Sequence, residues 1–160
     1  MVDKKQMRGI INDVLQKLGE KYADSKALDL VYNTGLVESK YVYLKQVQGP
    51  AVGFMQIEPW VAVSTCKDYL QFREALMKKV ADVCNLDWHY FLNPTEEDWR
   101  YILTTNIAAQ IVFCRIHYWR VPKSLPNTIE EQAKQWKRYY NTARGKGTPE
   151  KFIEIVKKYG

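Results

Sequence analysis

The sequence predicts a mainly α domain, and three observations carry that prediction. Apolar residues recur at helical spacing in several separate runs, beginning with Met7, Ile10, Ile11, Val14, Leu15 and Leu18. Helix-starting residues stand ahead of such runs, namely Asp3, Thr95, Thr128 and Thr148. Only residues 40–53, KYVYLKQVQGPAVG, lose the helical period.

The elements follow in order. Asp3 and Gln6 form a capping-box pair before the first helix. A second helix is expected from about Asp24 to Ser39. Leu28, Val31, Tyr32 and Gly35 share one of its faces, with Leu30 and Val37 opposite. A helix that is apolar on both sides belongs inside the domain. Residues 40–53 read as a loop or small β-like hairpin, because tyrosines and valines favour extended backbone and Gly49-Pro50 favours a turn. Pro59 suits the first turn of a short helix starting near Glu58. Phe72, Leu76 and Val80, spaced by four, predict another over about 67–83. Asn93-Pro94 breaks the chain before the Thr95/Asp98 cap, and a strongly helical stretch is expected over about 104–119. Thr128 with Glu131 caps AKQWKRYY, and Thr148-Pro149 opens the last helix.

A length of 160 residues suggests one domain spanning 1–160 with a core that needs no disulfides. Hydrophobic residues at 46% and charged residues at 26% argue against a disordered chain. No run of apolar residues is long enough to span a membrane. The first residues, MVDKKQMRGIINDVLQKLGEKY, lack the apolar stretch and small-residue cleavage site of a secretory signal. Cys66, Cys84 and Cys114 have neither disulfide-framework nor metal-site spacing, so three mostly buried free thiols are expected. His89 and His117 lie far apart, which gives no metal-ligand pattern. The 24 Lys+Arg exceed the 18 Asp+Glu, for a net charge of +6. No block of five basic residues occurs, so solubility accounts for the charge as well as an anionic partner does. The 5 Trp, 11 Tyr and 5 Phe can fill a core or line a groove.

Glu38 is the residue from which chemistry is expected. It sits at the flank of a buried helix face, beside a turn-rich loop, and Glu is seldom buried without a reason. Burial raises a carboxyl pKa because the anion loses its water. A carboxylic acid still protonated near neutral pH can protonate the leaving oxygen of a glycoside, which is worth about 10²–10⁴-fold in rate. A surface Glu at a helix end is the plain alternative.

The segment ESKYVYLKQVQGPAVGFMQIEP resembles the active-site segment of the soluble lytic transglycosylases, a family related to goose-type lysozymes. The matching positions are Glu38-Ser39 and then Ala51, Gly53, Met55, Gln56, Ile57 and Pro59. Two weaker blocks stand in the family's order, NIAAQIVF from Asn106 and YYNTARGKG from Tyr139. The resemblance covers about 24–147 and implies an α+β lysozyme-like fold with a small insert after the catalytic helix. It implies Glu38 as catalytic acid/base, and Ser39, Met55, Gln56, Tyr140 and Asn141 as residues that support the site or line a glycan groove. Three alternatives stay open at this stage: Met55 as core, Gln56 as the cap of a turn, and Tyr139 in place of Tyr140 as the inward tyrosine. Tyr41 and Tyr43 are further candidates for stacking on sugar.

Departures from the family pattern are Val47 for a loop Ser, Pro50 for a Gly, Gln110 for the Gly of the Asn-Ile helix, and Ala143 for a Gly. They suggest a distant member with altered loops. The family chemistry uses one Glu, which gives a proton to the leaving sugar and then takes one from the muramoyl 6-hydroxyl, closing a 1,6-anhydro ring. A lysozyme-type hydrolase adds a second carboxylate, for which Glu58 is the candidate. An inactive lysozyme-like binding protein is the rival. The resemblance implies peptidoglycan glycan strands as partner and no cofactor, metal or nucleic acid. A monomer is expected. Without a signal segment, the expected setting is a bacteriophage endolysin made in the host cytoplasm and acting on the wall or periplasm, or a virion-associated protein.

Overall fold

The computed structural model describes residues 2–46 and 48–160. Helices take 68% of the chain and strand 2%, so the fold is mainly α. The helices are α1 (Lys4–Leu18), α2 (Ser25–Ser39), α3 (Pro59–Asp68), α4 (Glu74–Cys84), α5 (His89–Leu92), α6 (Glu96–Thr105), α7 (Ile107–Trp119), α8 (Ile129–Gln135) and α9 (Pro149–Tyr159). Short 3-10 turns cover Glu20–Tyr22 and Leu70–Phe72, and a π-helical turn, Trp136–Asn141, continues α8.

The capping residues expected from sequence all accept a backbone N–H: Asp3 from Gln6, Thr95 from Asp98, Thr128 from Glu131 and Thr148 from Lys151. At Thr128 the box is displaced, because Glu131 accepts from Asn127 rather than from the cap itself. Helices α2 and α7 are buried on every side, as apolar residues around the whole helix require. Helix α7 buries Ile111, Val112, Phe113, Cys114 and Ile116 at the centre of the main core. A smaller core of Ala133, Trp136, Phe152 and Val156 joins α8, the π turn and α9. Tyr140 packs against both cores, and the Asn33 side chain donates to Gln132 Oε1 at 2.8 Å, tying α2 to α8.

Two helical expectations change. The run predicted over 67–83 is broken: α3 ends at Asp68, a 3-10 turn follows, and α4 begins at Glu74. The break turns Leu70 fully into the core and leaves Phe72 outside it, so Phe72 does not share a buried face with Leu76 and Val80. The stretch predicted from about Thr104 begins at Ile107, because Asn106 leaves helical backbone to cap α7, its side chain accepting from Ala109 N–H and donating to the Cys84 carbonyl. The three cysteines are buried and free.

Among the described residues of 40–58 the loop alternative holds, and no β-like hairpin forms. They are a chain of turns held by two isolated antiparallel bridges, Lys45–Val52 and Val52–Ile57. The reason is that four of their apolar side chains, Val52, Phe54, Met55 and Ile57, are drawn into the core. A regular strand alternates its faces and would leave half of them in water. Two glycines permit this path. Gly53 has φ +77°, and a Cβ there would lie 2.4 Å from the Leu103 carbonyl oxygen. Gly35 faces the Tyr41 ring so closely that a Cβ would lie 2.4 Å from its hydroxyl oxygen. Tyr41, itself at φ +56°, is thereby folded back under α2, where it donates to the Tyr32 carbonyl at 2.6 Å.

Gly53→Ala is expected to destabilise the protein by about 2–4 kcal/mol, from positive-φ strain plus contact with the Leu103 carbonyl. Gly9→Ala lies on the exposed side of α1, with nothing within 4 Å of an added Cβ. It is expected to stabilise by about 0.5–1 kcal/mol. Chemical denaturation measures both, and a neutral Gly53→Ala would refute the packing described.

Candidate active site

Glu38 occupies the last turn of α2, one residue before a reversal made possible by left-handed backbone at Lys40 and Tyr41. Its carboxylate is partly buried at the bottom of a groove with two lobes, of about 1020 and 460 Å³, and lines both. Gln56, Glu58, Trp60 and Asn141 are also shared by the two lobes. The first lobe runs between the 43–50 loop and residues 142–151. The second is walled by Val61, Thr65, Phe113, His117 and Tyr140.

The Trp136 indole N–H donates to Glu38 Oε1 at 2.8 Å. Burial pushes the Glu38 pKa up to about 7, and the indole hydrogen bond pulls against that rise. The position at the C-terminal end of a helix also disfavours a negative charge. Glu38 is therefore a carboxyl group close to half-protonated at neutral pH, open on one side to a groove.

The wall behind it is a polar network inside the core. Tyr140 donates to the Met55 carbonyl at 2.6 Å and stacks on Tyr118, with ring centroids 5.4 Å apart. The Tyr118 hydroxyl shares a hydrogen bond of 2.9 Å with Thr34 on α2. His117 meets the Tyr140 ring edge-on, and burial holds its pKa below the usual histidine range, so it is neutral at pH 7. Burial likewise pushes the Cys114 thiol, beside the Tyr140 hydroxyl, up to about 12.

The residues singled out from sequence divide into two sets. Glu38, Gln56, Glu58, Tyr140 and Asn141 line the groove together. Ser39 and Met55 lie behind it, both buried: Ser39 Oγ donates to the Gly35 carbonyl and accepts from Tyr41 N–H, which secures the reversal after α2. Met55 is core, and only its carbonyl serves the site by holding Tyr140. Gln56 does both things considered for it, because it lines the groove and its side chain closes a turn onto the Gly53 carbonyl at 2.9 Å. Tyr140, not Tyr139, is the inward tyrosine. Tyr43 lines the first lobe, whereas Tyr41 is fully buried and cannot stack on a sugar. Glu58 stands at the N-cap position of α3, where its carboxylate accepts from the Trp60 indole N–H and not from a backbone N–H of the helix.

Of the departures, Pro50 lines the first lobe and Ala143 is exposed beside it. Val47 lies outside the described residues. Gln110 has a structural use: its Oε1 accepts from Phe54 N–H at 2.9 Å, bracing the turn at Gly53. Sequence reading missed Trp136, Trp60 and His117. A signal for Trp136 was present, since it stands four residues before Tyr140 and thus on the same helical face. The π turn that carries Trp136, Tyr140 and Asn141 widens that face toward the groove, a distortion common at functional sites. Among the described residues, no three His, Cys, Asp or Glu side chains come together as metal ligands. No helix among them is long and apolar enough to cross a membrane.

Two outcomes test this geometry. Glu38 keeps its proton better in the folded chain than in the unfolded one, so it supports stability below pH about 4.5, and this is lost as pH rises through about 7. Glu38→Gln should accordingly be more stable than the parent by roughly 1–3 kcal/mol at pH 8, with the difference vanishing at pH 4. Denaturation at the two pH values reads it. Trp136→Phe removes the indole donor and should move the Glu38 titration above about 7, as followed by carboxyl-carbon NMR. An unmoved or lowered titration would contradict the assigned hydrogen bond.

Against known proteins, no family model, no curated protein and no solved structure matches this chain.

Proposed function

We propose that this protein cleaves the MurNAc–GlcNAc β-1,4 bond of peptidoglycan as a lytic transglycosylase, with Glu38 as its single acid and base. The observation that carries the reading is a carboxyl group with a pKa near 7, held by one indole at the junction of two groove lobes. Support also comes from the sequence resemblance, whose groove positions Gln56, Tyr140 and Asn141 gather around that carboxyl.

In this mechanism the glycan strand lies along the groove with the scissile oxygen at Glu38. Protonated Glu38 gives its proton to that oxygen as the glycosidic bond breaks. The carboxylate left behind then takes the proton of the muramoyl 6-hydroxyl, whose oxygen attacks the anomeric carbon and closes the 1,6-anhydro ring. The acid is thereby regenerated, and neither water nor a second carboxylate is consumed. Low polarity around Glu38 favours its neutral form before the reaction, which suits the first step. Exposed aromatic surface at Tyr43 and Trp60 supplies faces on which sugars can stack.

One observation favours a second reading, hydrolysis. Glu58 lines both lobes together with Glu38, so a carboxylate is available to activate water. Its engagement by Trp60 and its place at the start of α3 favour a structural role instead.

Glu38→Gln is expected to lower the cleavage rate on purified sacculi by about 100-fold or more. The rate of the parent should fall as pH rises above about 7, because the acid must be protonated. Mass spectrometry of released muropeptides should show 1,6-anhydro ends. Reducing ends abolished by Glu58→Gln would establish the hydrolase, and full activity of Glu38→Gln would dismiss the assignment altogether.

A further inference from the structure

The first lobe has an uneven charge distribution. Lys45, Arg144, Lys146 and Lys151 line it, and all four are exposed. They come from three separate segments: the loop after α2, the loop before α9, and the first turn of α9. The cations therefore converge by folding and do not form the solvated face of one helix. None has an acidic partner among the described residues, where the ion pairs are Arg8–Asp29 and Lys78–Glu74. Neighbouring Lys137 behaves differently, since its ammonium donates to the Asn141 side chain and the Gly145 carbonyl, both at 2.8 Å. Lys137 thus builds the loop, while the other four line the lobe with no carboxylate among the described residues to pair with them.

The two carboxylates of the same lobe, Glu38 and Glu58, line its junction with the second lobe, whereas none of the four cations does so. A polyanion threaded through both lobes would meet those carboxylates. A neutral strand bearing pendant anions fits better, because its uncharged backbone passes the carboxylates while its anions meet the cations. Four unpartnered like charges around a cavity of about 1020 Å³ repel one another, and an anionic ligand relieves that repulsion.

Resting on the glycan reading above, we propose that Lys45, Arg144, Lys146 and Lys151 bind the free carboxylates of the stem peptides on the glycan strand. The site then distinguishes peptide-bearing strands from bare ones. Arg144 can receive a carboxylate through two parallel hydrogen bonds, and the lysines act as point charges.

The test separates this proposal from the cleavage chemistry by using Glu38→Gln protein, which binds without turnover. Two polymers from the same Gram-negative sacculi serve as probes, one intact and one stripped of its peptides by an amidase. The peptide-bearing polymer is freed of its cross-links by an endopeptidase so that both probes are soluble strands, and binding is read by isothermal titration calorimetry. Glu38→Gln protein is expected to hold the intact strands about tenfold or more tighter than the stripped ones at low salt, with the preference lost at about 0.5 M NaCl. Adding K45Q, R144Q, K146Q and K151Q should reduce that preference to under about threefold, and the exposure of all four side chains lets the variant fold. Equal affinity of the Glu38→Gln protein for both polymers would overturn the peptide-carboxylate site while leaving the glycan reading standing. A preference that survives in the multiple variant would overturn the assignment of these residues. Binding to neither polymer would overturn the glycan reading itself.

Discussion

The hydrogen bond between Trp136 and Glu38 joins residues 98 positions apart and connects the main core to the smaller one at the groove. Glu38 ends a helix of the main core, and Trp136 anchors the smaller core of α8 and α9. One constraint governs the bond. A carboxyl group withdrawn from water must either stay protonated or find a donor, and here it does some of each. A single neutral donor lowers the cost of the anion without abolishing the preference for the acid. An arginine in the same place would hold the group ionised and unable to donate a proton.

The wall behind Glu38 is built to keep that balance still. Thr34, Tyr118, Tyr140 and the Met55 carbonyl connect α2, α7, the π turn and the loop after α2. The tyrosines are held neutral by burial, and His117 is neutral too, so the wall places no full charge against the carboxyl group. The cations of the first lobe are instead kept at the solvent side, on Lys45, Arg144, Lys146 and Lys151. This division lets a partly buried acid coexist with a basic rim: exposed cations are screened by water and act weakly on a group beneath them.

The loop after α2 gains its shape from the core rather than from strand pairing. Val52, Phe54, Met55 and Ile57 point inward at irregular intervals, and Gly53, with the left-handed residues Lys40, Tyr41 and Gln56, supplies the turns that such intervals require. Gln110 on α7 braces the turn at Gly53, at a cost, since its amide nitrogen is buried without a partner among the described residues. The Gln110 side chain is thus part of how the loop is supported.

Much of this architecture was legible in the chain itself. Helical periodicity located α1, α2, α7 and α9, and short-range capping chemistry located the starts of α1, α6, α8 and α9, because both are set by residues within a few positions of each other. Glu38 was legible as an acid at the flank of a buried face for the same local reason. Other features depended on contacts that no local pattern records. Whether Tyr41 or Tyr43 faced solvent was decided by the space that Gly35 leaves beneath α2. The break at Leu70 and the turns of the 40–58 loop follow from which side chains the assembled core has room for. The Trp136 donor, the neutral wall and the convergence of four cations each join segments far apart in sequence. Local periodicity determined the helices and their faces; only long-range packing decided the environment of the acid, because desolvation and hydrogen bonding depend on what surrounds a group in space.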